Sequence, residues 1–262
     1  MPQRRAKVTG VIILRGAIDG LDVVRPTKDA AYMGPRPTRA ATLGPALTHF
    51  FTLHPDAAGL MPLWSADELA FAHAVATPYR SGRSHFVGQD ALENGTGTVD
   101  GNLTPGHHGW LNRALSVMPN ATNDTAVLVG QQLLLLPDGA HETGHWLPIT
   151  ESPLSAQGLD LLHAVNAACP LFAEPYAQAQ SLARSMNKEQ APKGGQADAQ
   201  LGTYVAKRLT GASRIAGFSF GGWDTHNQQA KTVTDQLTSL AQVLTFMKTG
   251  LGRSWAQSLC WR

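Results

Sequence analysis

Two histidines stand four positions apart in His141-Glu142-Thr143-Gly144-His145. On a helix that spacing presents two imidazoles to one zinc ion, with the glutamate between them as general base. The chemistry therefore requires a helix. Pro137, Gly139, Gly144 and Pro148 surround and interrupt the segment, and each opposes a helix interior. The segment reads as a loop that contains two histidines.

A second pattern is Gly217-Phe218-Ser219-Phe220-Gly221, which follows a strand-like run and precedes a helix-like one. This is the local pattern of a nucleophile elbow, in which Ser219 would attack a carboxylic ester. The elbow needs an acid and a histidine further along the chain. The only histidine after Ser219 is His226, too near to fold back as the usual base. An upstream histidine such as His85 would have to serve. The plainer reading is a strand end whose glycines permit close packing.

A third set is dispersed along the chain: Asp19, Ser84-His85, and Asp224-Thr225-His226. Carboxylates and an imidazole gathered at one place are hard and borderline ligands for zinc, manganese, magnesium or calcium. A hydroxyl at a helix N-terminus is favourably placed for an anionic ester. Each residue also has a structural reading, as a turn carboxylate (Asp19), a helix cap (Ser84) or a solvated residue at a helix start (His226).

All three positions fall where strands are expected to open into helices. Val8 to Leu14 is apolar and β-branched, the pattern of a buried strand, so Asp19 follows a strand's C-terminal end. Pro55 to Trp64 reads as a short helix, Leu69 to Val75 as a strand, and His85 to Glu93 as a helix that starts at Ser84. His107 to Met118 reads as another helix. Ala126 to Val129 and Leu133 to Leu136 are short apolar runs compatible with strands. Ser155 to Asn187 is helical in pattern, and Lys188 to Gln196 breaks it as a loop. A further helix is expected to about Leu209, a strand over Ser213 to Phe220, and a final helix from Asn227 to about Lys248. This alternation predicts an α/β fold with a largely parallel sheet, whose C-terminal edge is where ligands bind.

The 262 residues suffice for a substantial core, and no linker divides them, so one domain is expected over 1–262. A net charge of +2, with lysines and arginines scattered, gives no nucleic-acid surface. Val8 to Leu14 is too short for a membrane span or a signal-peptide core, which predicts a cytoplasmic chain with small-molecule partners. Two cysteines, Cys169 and Cys260, are too few for a disulfide framework.

The segments Leu14-Arg15-Gly16-Ala17-Ile18-Asp19-Gly20-Leu21, His73-Ala74-Val75, Ser81-Gly82-Arg83-Ser84-His85-Phe86, Gly109-Trp110-Leu111 and Gly221-Gly222-Trp223-Asp224-Thr225-His226 resemble a bacterial family of uncharacterised proteins. That family is related to sulfatases and alkaline phosphatases, and the resemblance runs over nearly the whole chain. It implies a three-layer α/β/α sandwich of the alkaline-phosphatase kind. It also implies Asp19, Asp224 and His226 as metal ligands, with Ser84 or Thr77 near the nucleophile position. Ala76 stands where a sulfatase would carry its modified cysteine, which argues against sulfatase chemistry. Family members are usually exported and continue into a further strand bearing a glutamate and an Asp-His pair. Here Gly252 to Arg262 reads as an interrupted end. The expected consequence is an incomplete, weakly occupied metal site and an exposed sheet edge beside Ser213 to Phe220 through which two copies could pair.

The expected activity is hydrolysis of an ester, phosphatase-like by resemblance. The alternatives are a carboxylesterase that uses Ser219 and a catalytically inactive binding or scaffold protein.

Overall fold

The computed structural model describes residues 7–40, 42–73, 75–130, 134–146, 156–167, 173, 195–226 and 228–261. Its strands are β1 (Val8–Leu14), β2 (Val24–Arg25), β3 (Thr52–Leu53), β4 (Ala126–Val129), β5 (Gly144–Trp146), β6 (Ile215–Phe220) and β7 (Ser258–Trp261). Five of them form one sheet in the order β5-β4-β6-β1-β7, with every pairing parallel. β2 and β3 form a separate antiparallel pair.

Alternation along the central strands sorts their side chains onto two covered faces, as a parallel sheet requires. Val8 and Ile12 of β1, Val127 and Val129 of β4, and Ala216 and Phe218 of β6 pack on one face. They meet Leu237, Leu240 and Leu244 of the helix Gln229–Leu251, Val205 and Leu209 of the helix Gly195–Thr210, and Leu60 of the 3₁₀ turn Pro55–Leu60. Val11, Ile13, Ala126, Leu128 and Ile215 pack on the other face, against Leu111 and Leu115 of the helix Trp110–Val117. The architecture is therefore mixed α/β, with three layers in the order α/β/α.

The chain divides into two compact units, Met1–Trp146 with Asp198–Arg262, and Leu147–Ala197. In the second unit, Ala156–Ala167 is helical. Apart from Ala173, the rest of the expected 155–187 helix and residues 188–194 of the loop expected over Lys188 to Gln196 lie outside the described residues. Gly195 and Gln196 begin a helix rather than ending that loop.

β1, β4 and β6 lie where the apolar runs place them, while three other expectations are corrected. The described part of Leu69 to Val75 forms no strand. Its alternation serves aromatic packing instead, with Phe71 stacked on Trp64 at 6.0 Å and His73 stacked on Phe51 at 4.4 Å. Leu134 and Leu136 are buried on an irregular segment, outside any strand. The helix expected from His107 starts only at Trp110, with Gly109 as its N-cap, donating its N–H to Asp138 O at 2.9 Å.

The tail, Gly252 to Trp261, adds to the sheet. Gly252–Gln257 forms a 3₁₀ turn and β7 pairs in parallel with β1, Val8 opposite Ser258 and Val11 opposite Trp261. β6 is an interior strand, bonded to β4 on one side and to β1 on the other. The exposed edge expected beside Ser213 to Phe220, and pairing of two copies through it, are thereby corrected. Among the described residues no helix is long and apolar enough to cross a membrane.

Candidate functional site at the C-terminal edge of the sheet

β1 and β6 are parallel neighbours, with Ile13 opposite Ser219 and Leu14 opposite Phe220, so the segments carrying Asp19 and Asp224 leave the sheet at the same edge. The two exits are joined by main chain. Arg15 N donates to Phe220 O at 2.8 Å and Trp223 N donates to Arg15 O at 3.1 Å. Gly16 makes this approach possible, since its φ is +113° and a Cβ there would lie 2.2 Å from Asp224 N. Trp223 is 1% exposed in the core, which anchors the segment and leaves Asp224 at the surface of the edge. Gly16→Ala is expected to destabilise the fold by roughly 2 kcal/mol or more, through backbone strain and the forced separation of the two exits. The urea denaturation midpoint measures it.

Asp224 is the point of convergence. Its Oδ1 lies 2.9 Å from His226 Nε2, and its Oδ2 lies 4.0 Å from His85 Nε2. His85 begins the helix His85–Asn94, so an imidazole from one layer meets a carboxylate from the end of the sheet. The two histidines differ in setting: the side chain of His85 is 18% exposed, that of His226 is 85% exposed and that of Asp224 is 44% exposed. His85 is the partner held within the protein, and its ring packs on Phe86 at 4.1 Å.

Ser84 is the N-cap of that helix. Its Oγ accepts from Val87 N at 3.4 Å, and its own N donates to the Tyr79 hydroxyl at 3.3 Å. Capping uses the serine oxygen as an acceptor and leaves its O–H to be donated elsewhere. Ser219 is placed differently from an elbow nucleophile. It lies within β6, one residue before the strand ends, and is not among the positive-φ residues of the described chain. The sharp strained turn that exposes an elbow serine is absent at this position. His141 and His145 are not on a helix either; His145 sits on β5 opposite Leu128. Sequence reasoning took this segment for a loop and missed β5, a strand of three residues hidden by its glycine.

Asp19 is occupied at the same edge by other work. Its Oδ1 caps the turn Gly20–Val23 by accepting from Asp22 N at 3.2 Å, and its Oδ2 accepts from Gln229 Nε2 at 3.3 Å. The neighbouring Asp22 is buried in an ion pair with Arg25 at 2.8 Å. Asp19, Asp224 and His226 do not assemble as a three-donor cluster, and among the described residues no group of three or more His, Cys, Asp or Glu side chains could hold an ion. Of the three ligands implied by the resemblance, Asp224 and His226 are paired and Asp19 is bonded elsewhere.

Beneath His85 lies a cluster that sequence reasoning passed over. Arg15 forms an ion pair with Glu93, and its Nη1 donates to Gln89 Oε1 at 3.3 Å. Glu93 is fully buried, and its Oε2 accepts from Leu135 N at 2.6 Å and Leu136 N at 3.3 Å. The only signal in the sequence is the spacing His85, Gln89, Glu93, which places all three on one helical stripe.

Burial pushes the Glu93 carboxyl above its ordinary range, opposed by Arg15 and the two backbone N–H groups. A raised folded-state value means the native protein holds this proton to higher pH than the unfolded chain does. The associated stability is complete below the ordinary carboxylate range and is lost as pH rises through the raised value. The urea midpoint is expected to fall across that window, and Glu93→Gln is expected to flatten the fall.

A groove of about 510 Å³ lined by Leu63, Glu68, Lys248 and Trp255 lies elsewhere, at the far end of the helix Gln229–Leu251. Lys248 Nζ and Trp255 Nε1 donate to Glu68 at 2.6 and 2.9 Å, holding that carboxyl below its usual range. Comparison with family models, with curated proteins and with solved structures finds no match for the chain.

Proposed function

We propose that the protein is an ester hydrolase whose site is the C-terminal edge of the sheet around Ser84, His85 and Asp224. The observation that carries the reading is the meeting of the His85 imidazole and the Asp224 carboxylate at 4.0 Å, from elements 139 positions apart in the chain. An imidazole backed by a carboxylate is suited to take a proton from a nucleophile, because the carboxylate offsets the charge that develops on the ring. In this reading the Ser84 oxygen attacks the acid centre of the ester as His85 takes its proton, the alcohol leaves with that proton, and water, deprotonated by His85, then releases the acid and restores Ser84, while Asp224 orients and balances His85. The N-terminus of the helix His85–Asn94 favours the negative charge of an anionic ester or of the intermediate.

The phosphatase-like resemblance supports phosphate esters as the first substrate class, with a small molecule as the partner. No step of the proposed reaction passes through a metal ion. A divalent ion on Asp224 and His226 would be held by two donors and would wash out, so chelation is expected to leave turnover unchanged. A panel of phosphate, sulfate and carboxylic esters, assayed with wild type, Ser84→Ala and Ser219→Ala, tests the reading. Turnover of at least one class that is lost in Ser84→Ala and retained in Ser219→Ala supports it. The opposite order would return the reaction to Ser219, and no turnover of any ester would favour a binding or scaffold role.

A further inference from the structure

We infer that Arg15 is the positioning residue that sets the separation between His85 and Asp224. The inference rests on the reading that these two side chains act together. Arg15 touches both sides of the site. Its side chain holds the helix, through Glu93 and through Gln89 Oε1 at 3.3 Å, while its carbonyl holds Trp223 N at 3.1 Å, one residue before Asp224. His85, Gln89 and Glu93 form one stripe on the helix, so a guanidinium fixed to the last two fixes the first.

The result is a closed ring: Asp224, the Trp223 backbone, Arg15, the helix stripe, His85, and back to Asp224 at 4.0 Å. A forked cation with two anchors on the helix adds a directional constraint that non-directional apolar packing does not supply. His226 is outside the ring. It reaches Asp224 from two positions along the same segment, at 2.9 Å, and needs no clamp.

The test reads the contact itself rather than turnover. In protein carrying ¹³C-labelled histidine, the ring resonances of His85 and His226 are assigned by substitution and followed on Asp224→Asn. Both are expected to shift in the otherwise unaltered protein. In Arg15→Met/Glu93→Gln, which removes the ion pair without leaving a lone buried charge, the His85 response is expected to shrink by more than half, while the His226 response persists. Arg15→Lys, which keeps the charge but loses the fork, is expected to fall between the two, and it carries the test should the double variant not fold. A full His85 response in these variants, or none in the otherwise unaltered protein, overturns the inference. Neither outcome depends on whether esters are cleaved, so a failure of this inference and a failure of the proposed activity are told apart.

Discussion

Asp224→Asn is expected to lower ester turnover by roughly 10²- to 10⁴-fold, the usual worth of a general base and of the group that balances it. Stability should change by less than about 1 kcal/mol, because the side chain is 44% exposed and its nearer partner, His226, is 85% exposed. His226→Ala serves as the contrast. With 85% of that side chain in solvent, its loss is expected to cost far less turnover than the loss of Asp224. Steady-state rates of the purified variants on the best ester of the panel, with thermal denaturation as the control, check both statements.

The second large effect is on the frame that carries Asp224. Trp223→Ala is expected to destabilise the fold by about 3–5 kcal/mol, the cost of emptying a buried aromatic site whose surroundings relax only in part. Trp223 is 1% exposed and packs in the core that includes Phe218 and Leu237. Trp223→Phe, which refills most of the volume, should recover a large part of that loss. Denaturant midpoints of the two variants measure it. If the alanine variant proves as stable as wild type, the segment Gly221 to His226 is not anchored as described.

The parts of the fold that were legible in the sequence are those where burial leaves a local trace. β1 reads as an apolar, β-branched run and β6 as an alternating one, and both are largely buried. The cap at Ser84 and the start of the helix at His85 follow from local chemistry, and the side chain of Ser84 does cap. Leu69 to Val75 alternates as a strand does, yet the pattern reports only that every second residue is covered. Aromatic neighbours cover it here, with no ladder partner. β5 and β7 are three and four residues long, and each exists because a neighbouring strand offers a free ladder edge, which no local pattern encodes.

The candidate site was legible in the same partial way. Asp19, His85 and Asp224 all lie near one sheet edge, as strand-to-helix junctions predict. Their partnering was not legible. Asp19 and Asp224 leave the same edge as expected, yet Asp19 is bonded to Gln229 while His85 and Asp224 meet. The Arg15–Glu93 pair spans 78 positions and has no motif, so only the fold reveals it. Ser219 shows the converse: its five-residue pattern matches an elbow, but the backbone at that position continues the strand.

The central claim is that His85 and Asp224 act as one unit in ester cleavage, and the most direct test is a double-mutant cycle on turnover. Residues that act as a unit are strongly non-additive, since removing either removes the function of both. His85→Ala and Asp224→Asn are each expected to lose roughly 10²-fold or more, and the double variant is expected to be no slower than the slower single one. Losses that multiply in the double variant, or undiminished turnover in either single one, would contradict the account.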